Sequence, residues 1–166
     1  MATAPDPKDT GSFLWNVHAY LNAYIRFADA KAQLVIGWTS AIVGALLASK
    51  FPERFSCSTS GLLAVAGSLC LVTAFAFAFV AVVPRLSTTQ LPGFIFWKSI
   101  LAHCTKDRFV KAIGEQSAAE LNNHLAGHLF DLSNVGNQKF EWVNRSIVLA
   151  FIGSVITGAV FLWAPK

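Results

Sequence analysis

Leu62 to Val83 reads LLAVAGSLCLVTAFAFAFVAVV, a run of twenty-two residues without a charge. At a helical rise of about 1.5 Å per residue it is roughly 33 Å long, against about 30 Å of hydrocarbon in a bilayer. A helix on the surface of a soluble core needs one apolar stripe, whereas this one is apolar all round. It ends at Pro84-Arg85, where proline stops the helix and arginine meets phosphate headgroups. The run therefore reads as a membrane span.

Two further charge-free runs flank it, Ala32 to Ser49 and Ser146 to Pro165. The first is roughly 27 Å long by the same rise, just enough to cross. The second closes on Trp163 and Lys166, an aromatic and a basic anchor of the kind found at interfaces. Three spans follow, at about 32–49, 62–83 and 147–164. The whole chain agrees, with 54% hydrophobic and 13% charged residues among 166 and a mean hydropathy of +0.51. Such a composition excludes a disordered tail, a disulfide scaffold and a coiled-coil rod, and argues against a water-soluble enzyme. The expected fold is an all-α integral membrane protein with three transmembrane helices.

Lys and Arg are retained on the cytoplasmic face, so their distribution sets orientation. With an inside N terminus the inner side holds Lys8, Arg26, Lys31, Arg85, Lys98, Lys106, Arg108, Lys111, Lys139 and Arg145, ten residues. Only Lys50, Arg54 and Lys166 fall outside. The N terminus and the segment 85–145 are thus expected in the cytoplasm, and the C terminus outside. Residues 1–12 read as a flexible tail without a cleavable signal, and 13–166 as a single membrane domain. Cys57, Cys70 and Cys104 lack the spacing of a disulfide or zinc site. The net charge of +4 suits an anionic membrane surface better than nucleic acid.

From Phe13 to Gln33 the apolar residues recur at helical spacing, with Ser12 as the expected N-cap of an amphipathic N-terminal helix that continues unbroken into the first span. His18, Asn22, Arg26, Asp29 and Gln33 fall on one stripe of it, with Arg26 and Asp29 placed to pair at i,i+3. As a solvated face the stripe is unremarkable, but charges beside hydrocarbon are costly unless paired or wetted, which favours a ligand or subunit contact. Small residues around Gly37 and Gly44, and around Gly153 and Thr157, mark packing faces for oligomer formation or internal contacts. Between the second and third spans lie an apolar-aromatic knot, Leu91 to Trp97, and two helical patterns, roughly 98–113 and 117–136, forming a small cytoplasmic helical layer. Gly136 is a candidate kink before the last span.

His124 and His128 stand at i,i+4 with Asp131 beyond, but no third ligand or intervening glutamate supports a zinc site. No nucleophile elbow, Walker loop, dinucleotide fingerprint or specific carboxylate pair is present, so no metal, cofactor or enzymatic activity is expected.

Asn22-Ala-Tyr-Ile-Arg-Phe-Ala-Asp-Ala-Lys-Ala32 directly before a span resembles the N-terminal signature of the Pycsar transmembrane effector family, PycTM. Gly93-Phe-Ile-Phe-Trp-Lys-Ser-Ile100, His128-Leu-Phe-Asp-Leu-Ser-Asn134 and Lys139-Phe-Glu-Trp-Val-Asn-Arg145 follow in the family's order, over about 13–164. The resemblance implies a bacterial antiphage effector in the inner membrane. A pyrimidine nucleotide cyclase would supply cyclic CMP or cyclic UMP, and the effector would respond by impairing membrane integrity as an oligomeric pore or channel. His128 stands where relatives commonly carry glutamine, and Lys98 where an acidic residue is frequent, so the nucleotide's identity stays open.

A cyclic mononucleotide offers a phosphate charge, a ribose hydroxyl and a pyrimidine edge, and needs a cation, polar readers and an aromatic wall. Arg26, Lys31, Lys139 and Arg145 are the candidate cations, Asn22, Asp29, Asn122 and Asn134 the polar readers, and Trp97 and Trp142 the walls. A bound phosphate would relieve like-charge crowding among the four cations. The principal rival is a holin-like or structural membrane subunit that needs no ligand.

Overall fold

The computed structural model describes residues 7–49, 58–83 and 92–163. They form five helices, α1 Pro7–Ala48, α2 Thr59–Val82, α3 Trp97–Leu101, α4 Lys106–Gly114 and α5 Ala118–Trp163, with no strand among the described residues. Helices α1, α2 and α5 are each long and apolar enough to cross a membrane. The protein is an all-α membrane protein. Tail residues 1–6, the Pro84-Arg85 stop, Cys57, Leu91 and the anchors Lys50, Arg54 and Lys166 lie outside the described residues.

Helix α1 opens at Pro7, five residues before the expected Ser12 cap. Proline suits a first helical turn because its missing N–H would have no intrahelical acceptor there. As expected, α1 then runs unbroken past Lys31 into its apolar half. The last span likewise belongs to a 46-residue helix, α5. Gly136 does not interrupt it: the glycine is buried, and a Cβ there would lie 3.6 Å from Ile25 Cγ1, so its small size serves helix contact. The chain divides into two compact units, Met1–Ile25 with Arg85–Gly136, and Arg26–Pro84 with Asn137–Lys166. Both boundaries pass through the interiors of α1 and α5, so no linker composition announces them.

The second unit packs the apolar halves of α1 and α5 with α2. Gly61, Ala64, Gly67, Leu71, Ala74, Ala78 and Ala81 form a buried seam on α2 at three- and four-residue spacing. Leu62, Leu69, Val72 and Phe79 are turned outward. Small residues inside and bulky ones outside are what a lipid solvent favours, because close backbone approach drives helix association there. At the closest approach, a Cβ on Gly67 would sit 2.7 Å from Thr157 Cγ2, and one on Gly153 would sit 3.0 Å from Gly67 O. The small-residue face of α5 is therefore internal packing against α2, while nothing lies within 4 Å of a Cβ at Gly37 or Gly44. The contacts of Gly67 with Thr157 and of Phe77 with Trp142 make α2 and α5 antiparallel. Asp29 with Lys139 and Trp38 with Ser154 make α1 and α5 parallel, the relation that three successive crossings require. Hydroxyls in the packed region bond within their own helices, Thr39 to the Val35 carbonyl at 2.8 Å and Thr157 to that of Gly153 at 2.7 Å.

The first unit holds the polar halves of α1 and α5 with α3 and α4. The expected single helix over 98–113 is divided: Cys104 adopts φ 65° and Thr105 caps α4 by accepting the Arg108 N–H at 3.3 Å. A left-handed residue followed by a cap ends one helix and starts another, which apolar periodicity does not report. Ser117 and Glu120 form a capping box at the start of α5, each side chain accepting the other's backbone N–H. The aromatic knot centres on Phe94, whose ring meets those of His103, Phe109 and His124 at 5.7, 6.4 and 5.1 Å.

Candidate functional site

A cavity of about 790 Å³ opens in the first unit. Lys8, Trp15, His18 and Asn22 reach it from one face of α1, and Asn122, Leu125, His128 and Leu132 from one face of α5. Phe94, Ile95 and Phe96, just before α3, supply a third wall with Ile113 of α4. The two long helices run side by side here. A Cβ on Gly11 would meet Asn122 Oδ1 at 3.1 Å, and the rings of His18 and His128 are 5.6 Å apart.

The polar groups are pre-positioned. Asn22 donates to the His18 backbone carbonyl at 3.0 Å, with its amide also 3.1 Å from His18 Nε2. Trp15 meets the His18 ring edge-on at 5.4 Å. Burial, then the proximity of His18, lowers the pKa of His128, while Asp131 works in the opposite direction. A neutral imidazole has one donor and one acceptor nitrogen, and a carboxamide likewise offers both roles. His128, Asn22 and Asn122 thus line the cavity with groups able to match the alternating donors and acceptors of a pyrimidine edge. Lys8 supplies a cation to its lining.

The residues singled out in the sequence separate into two groups. Asn22 and Asn122 line the cavity. Arg26, Asp29, Lys31, Lys139, Trp142 and Arg145 belong to the second unit. There Lys139 Nζ donates to Asp29 Oδ1 at 2.5 Å, with side chains 13% and 31% exposed. This half-buried pair replaces the expected Arg26–Asp29 pair, since a partner on a packed helix is held where an exposed i,i+3 neighbour is not. Lys31 Nζ lies 4.4 Å above the Phe27 ring. Arg145 stands 5.3 Å over the Trp142 ring and 3.8 Å from Glu141, and Trp142 meets Phe77 edge-on at 5.1 Å. Of the four cations expected to crowd one another, Lys139 and Arg145 are each paired with a carboxylate. Arg26 is exposed and has no ion-pair partner among the described residues. Asn134 is exposed on α5, and Trp97 begins α3 with a side chain outside the described set.

Sequence reasoning missed Lys8, Trp15, Phe94 and Phe96 as cavity residues. The seven-, three- and four-residue steps from Lys8 through Trp15 and His18 to Asn22 form a helical face, and Pro5, Asp6, Pro7 and Asp9 obscure its first member in the sequence. His124 and His128 have separate ring partners, Phe94 for the first and His18 for the second.

Residues 13–164 match the family described as the Pycsar effector protein domain. The chain belongs to that family. It is similar to the Pycsar effector protein SaPycTM of Staphylococcus aureus, with 27% identity over 138 residues that cover 81% of this chain and 84% of the relative. No solved structure matches it. The effector is a membrane-embedded component of the Pycsar antiphage defence system, and both units of the fold fall within the matched residues apart from their ends.

Proposed function

We propose that the effector senses a cyclic pyrimidine mononucleotide, cyclic CMP or cyclic UMP, in the cavity of the first unit. It then impairs the bacterial inner membrane as a homo-oligomeric pore or channel, without turning the nucleotide over. The observation that carries this reading is the convergence of Asn22, Asn122 and the neutral His128 on a cavity of about 790 Å³ that has aromatic walls and a cation, Lys8, in its lining. That volume is in the usual range of small-molecule sites, about 300 to 1,000 Å³. A functional link to a pyrimidine cyclase follows from the ligand class.

In this reading the ribose and base lie between α1 and α5 and the phosphate faces Lys8. Because α1 and α5 each continue from the cavity into an apolar segment, ligand energy reaches the spans through two unbroken helices. The ten-to-three Lys/Arg asymmetry supports a cytoplasmic N terminus and a cavity on that side. The exposed small-residue face at Gly37 and Gly44 is the surface available for assembly.

Titration of purified protein against the four cyclic mononucleotides tests the reading. Cyclic CMP or cyclic UMP should bind in preference to the purine forms, and Asn122→Leu or Asn22→Leu should weaken binding about tenfold or more, the loss of one or two buried hydrogen bonds. Equal binding by both variants would move the site elsewhere.

A further inference from the structure

A second recess lies in the second unit, between the apolar halves of α1 and α5. It measures about 280 Å³ and is bounded by Leu34, Val35 and Trp38 on one helix and Ile147, Ala150 and Phe151 on the other, with Lys31 at one end. We propose that it binds an anionic phospholipid, the acyl chain lying in the recess and the phosphate held by Lys31.

The walls accept hydrocarbon and nothing else. Trp38 carries their single hydrogen-bonding side chain, and its indole N–H is already given to Ser154 Oγ at 3.1 Å. That bond also fixes the indole as a rigid edge of the groove. Leu34, Trp38 and Phe151 remain 70%, 56% and 70% exposed, so the recess opens toward the lipid side of the helices.

The cation selects the headgroup. Lys31 leans one turn back, over Phe27, away from Leu34 and Trp38, as a lysine at a hydrocarbon boundary does when it lifts its ammonium toward the headgroups. Its other aromatic neighbour is Phe140, 5.9 Å away. No carboxylate pairs with it among the described residues: Asp29 is taken by Lys139 and Glu141 by Arg145. The ammonium is thus held by ring faces and has hydrogen-bond donors to spare at the mouth of an apolar groove. From Lys31 to Trp38 the groove extends roughly 10 Å along the helix, about a third of the hydrocarbon thickness. Phosphate above and chain below is the order of groups in one lipid of one leaflet. A zwitterionic headgroup brings its own cation to compete for its phosphate, whereas an anionic one does not, and basic recesses between spans take anionic lipids for this reason. The site holds whether or not a nucleotide binds in the first unit.

Lipid addition to the detergent-purified full chain tests it, with phosphatidylglycerol, phosphatidylcholine of the same chains, and glycerol phosphate without chains. Native mass spectrometry should show phosphatidylglycerol retained about tenfold over phosphatidylcholine, the worth of one charge-assisted contact. Lys31→Gln should abolish the preference, Lys31→Arg should keep it, and Arg145→Gln should leave it unchanged. Trp38→Ala should lower retention of both lipids. The proposal is overturned if wild type retains both lipids equally, if Lys31→Gln keeps the preference, or if glycerol phosphate alone competes. It is equally overturned if Trp38→Ala dissociates the oligomer with no change in lipid retention, which would make a second copy of the chain the occupant.

Discussion

Asp29 and Lys139 show how a residue's surroundings decide its role. Both look like surface charges in the sequence, and one was open to local pairing with Arg26. In the fold they meet across two helices and are half-buried, where a hydrogen bond to a charged group contributes about 1.5 to 3 kcal/mol. Asp29→Ala or Lys139→Ala should each lower thermal stability by an amount in that range, while Arg26→Ala should change it little. The exchange Asp29→Lys with Lys139→Asp should recover part of the loss, read by melting in detergent. His128 gives a pH dependence. Its folded pKa lies below the ordinary value of 6.5, so between that value and its folded value the unfolded chain binds more protons than the folded one. Stability present at neutral pH should therefore fall as pH drops below about 6.5, and His128→Gln should flatten that part of the melting-temperature profile.

At the scale of elements, the contact between α2 and α5 leaves no room for a side chain at two points. A Cβ on Gly153 would approach Leu71 N and Gly67 O at 3.0 Å, backbone atoms that move only with their helix. Gly153→Ala and Gly67→Ala should each cost about 1 to 3 kcal/mol through overpacking. Gly44→Leu and Gly37→Leu meet open space within the subunit, so they should leave its fold intact and act, if the chain assembles through that face, on oligomer size alone. Melting temperature and native-gel mobility separate the two effects. An unstable subunit for Gly44→Leu, or an unperturbed one for Gly153→Ala, would reverse the assignment of faces.

For the whole molecule, α1 and α5 run parallel in the second unit and α2 antiparallel to them, the directions that three successive crossings of a bilayer would take. Reporters placed near Gln116 and after Lys166 should therefore read opposite compartments, cytoplasmic and periplasmic respectively, given the Lys/Arg asymmetry. In cells, nucleotide-triggered depolarisation should be lost with Asn122→Leu at unchanged expression. Depolarisation by the wild-type chain in the absence of any cyclase would favour the holin-like alternative.

The sequence by itself determined the three spans and the helical class. Charge-free runs of about 20 residues have few stable arrangements other than a helix across lipid, where every backbone group must be satisfied internally. It also determined the family, through the order of short pieces around Asp29-Ala-Lys31 and the later helices. Tertiary structure alone decided which residues share a site. Periodicity places His18, Asn22, Arg26 and Asp29 on one stripe of one helix, but it carries no information about the neighbour that each meets. The fold gives His18 and Asn22 to the cavity, Asp29 to Lys139, and leaves Arg26 exposed. The same holds for Gly153, whose small size was legible and whose partner on α2 was not. A contact between residues about a hundred positions apart depends on which faces of which helices pack together, and that follows from the summed fit of many side chains rather than from any local spacing.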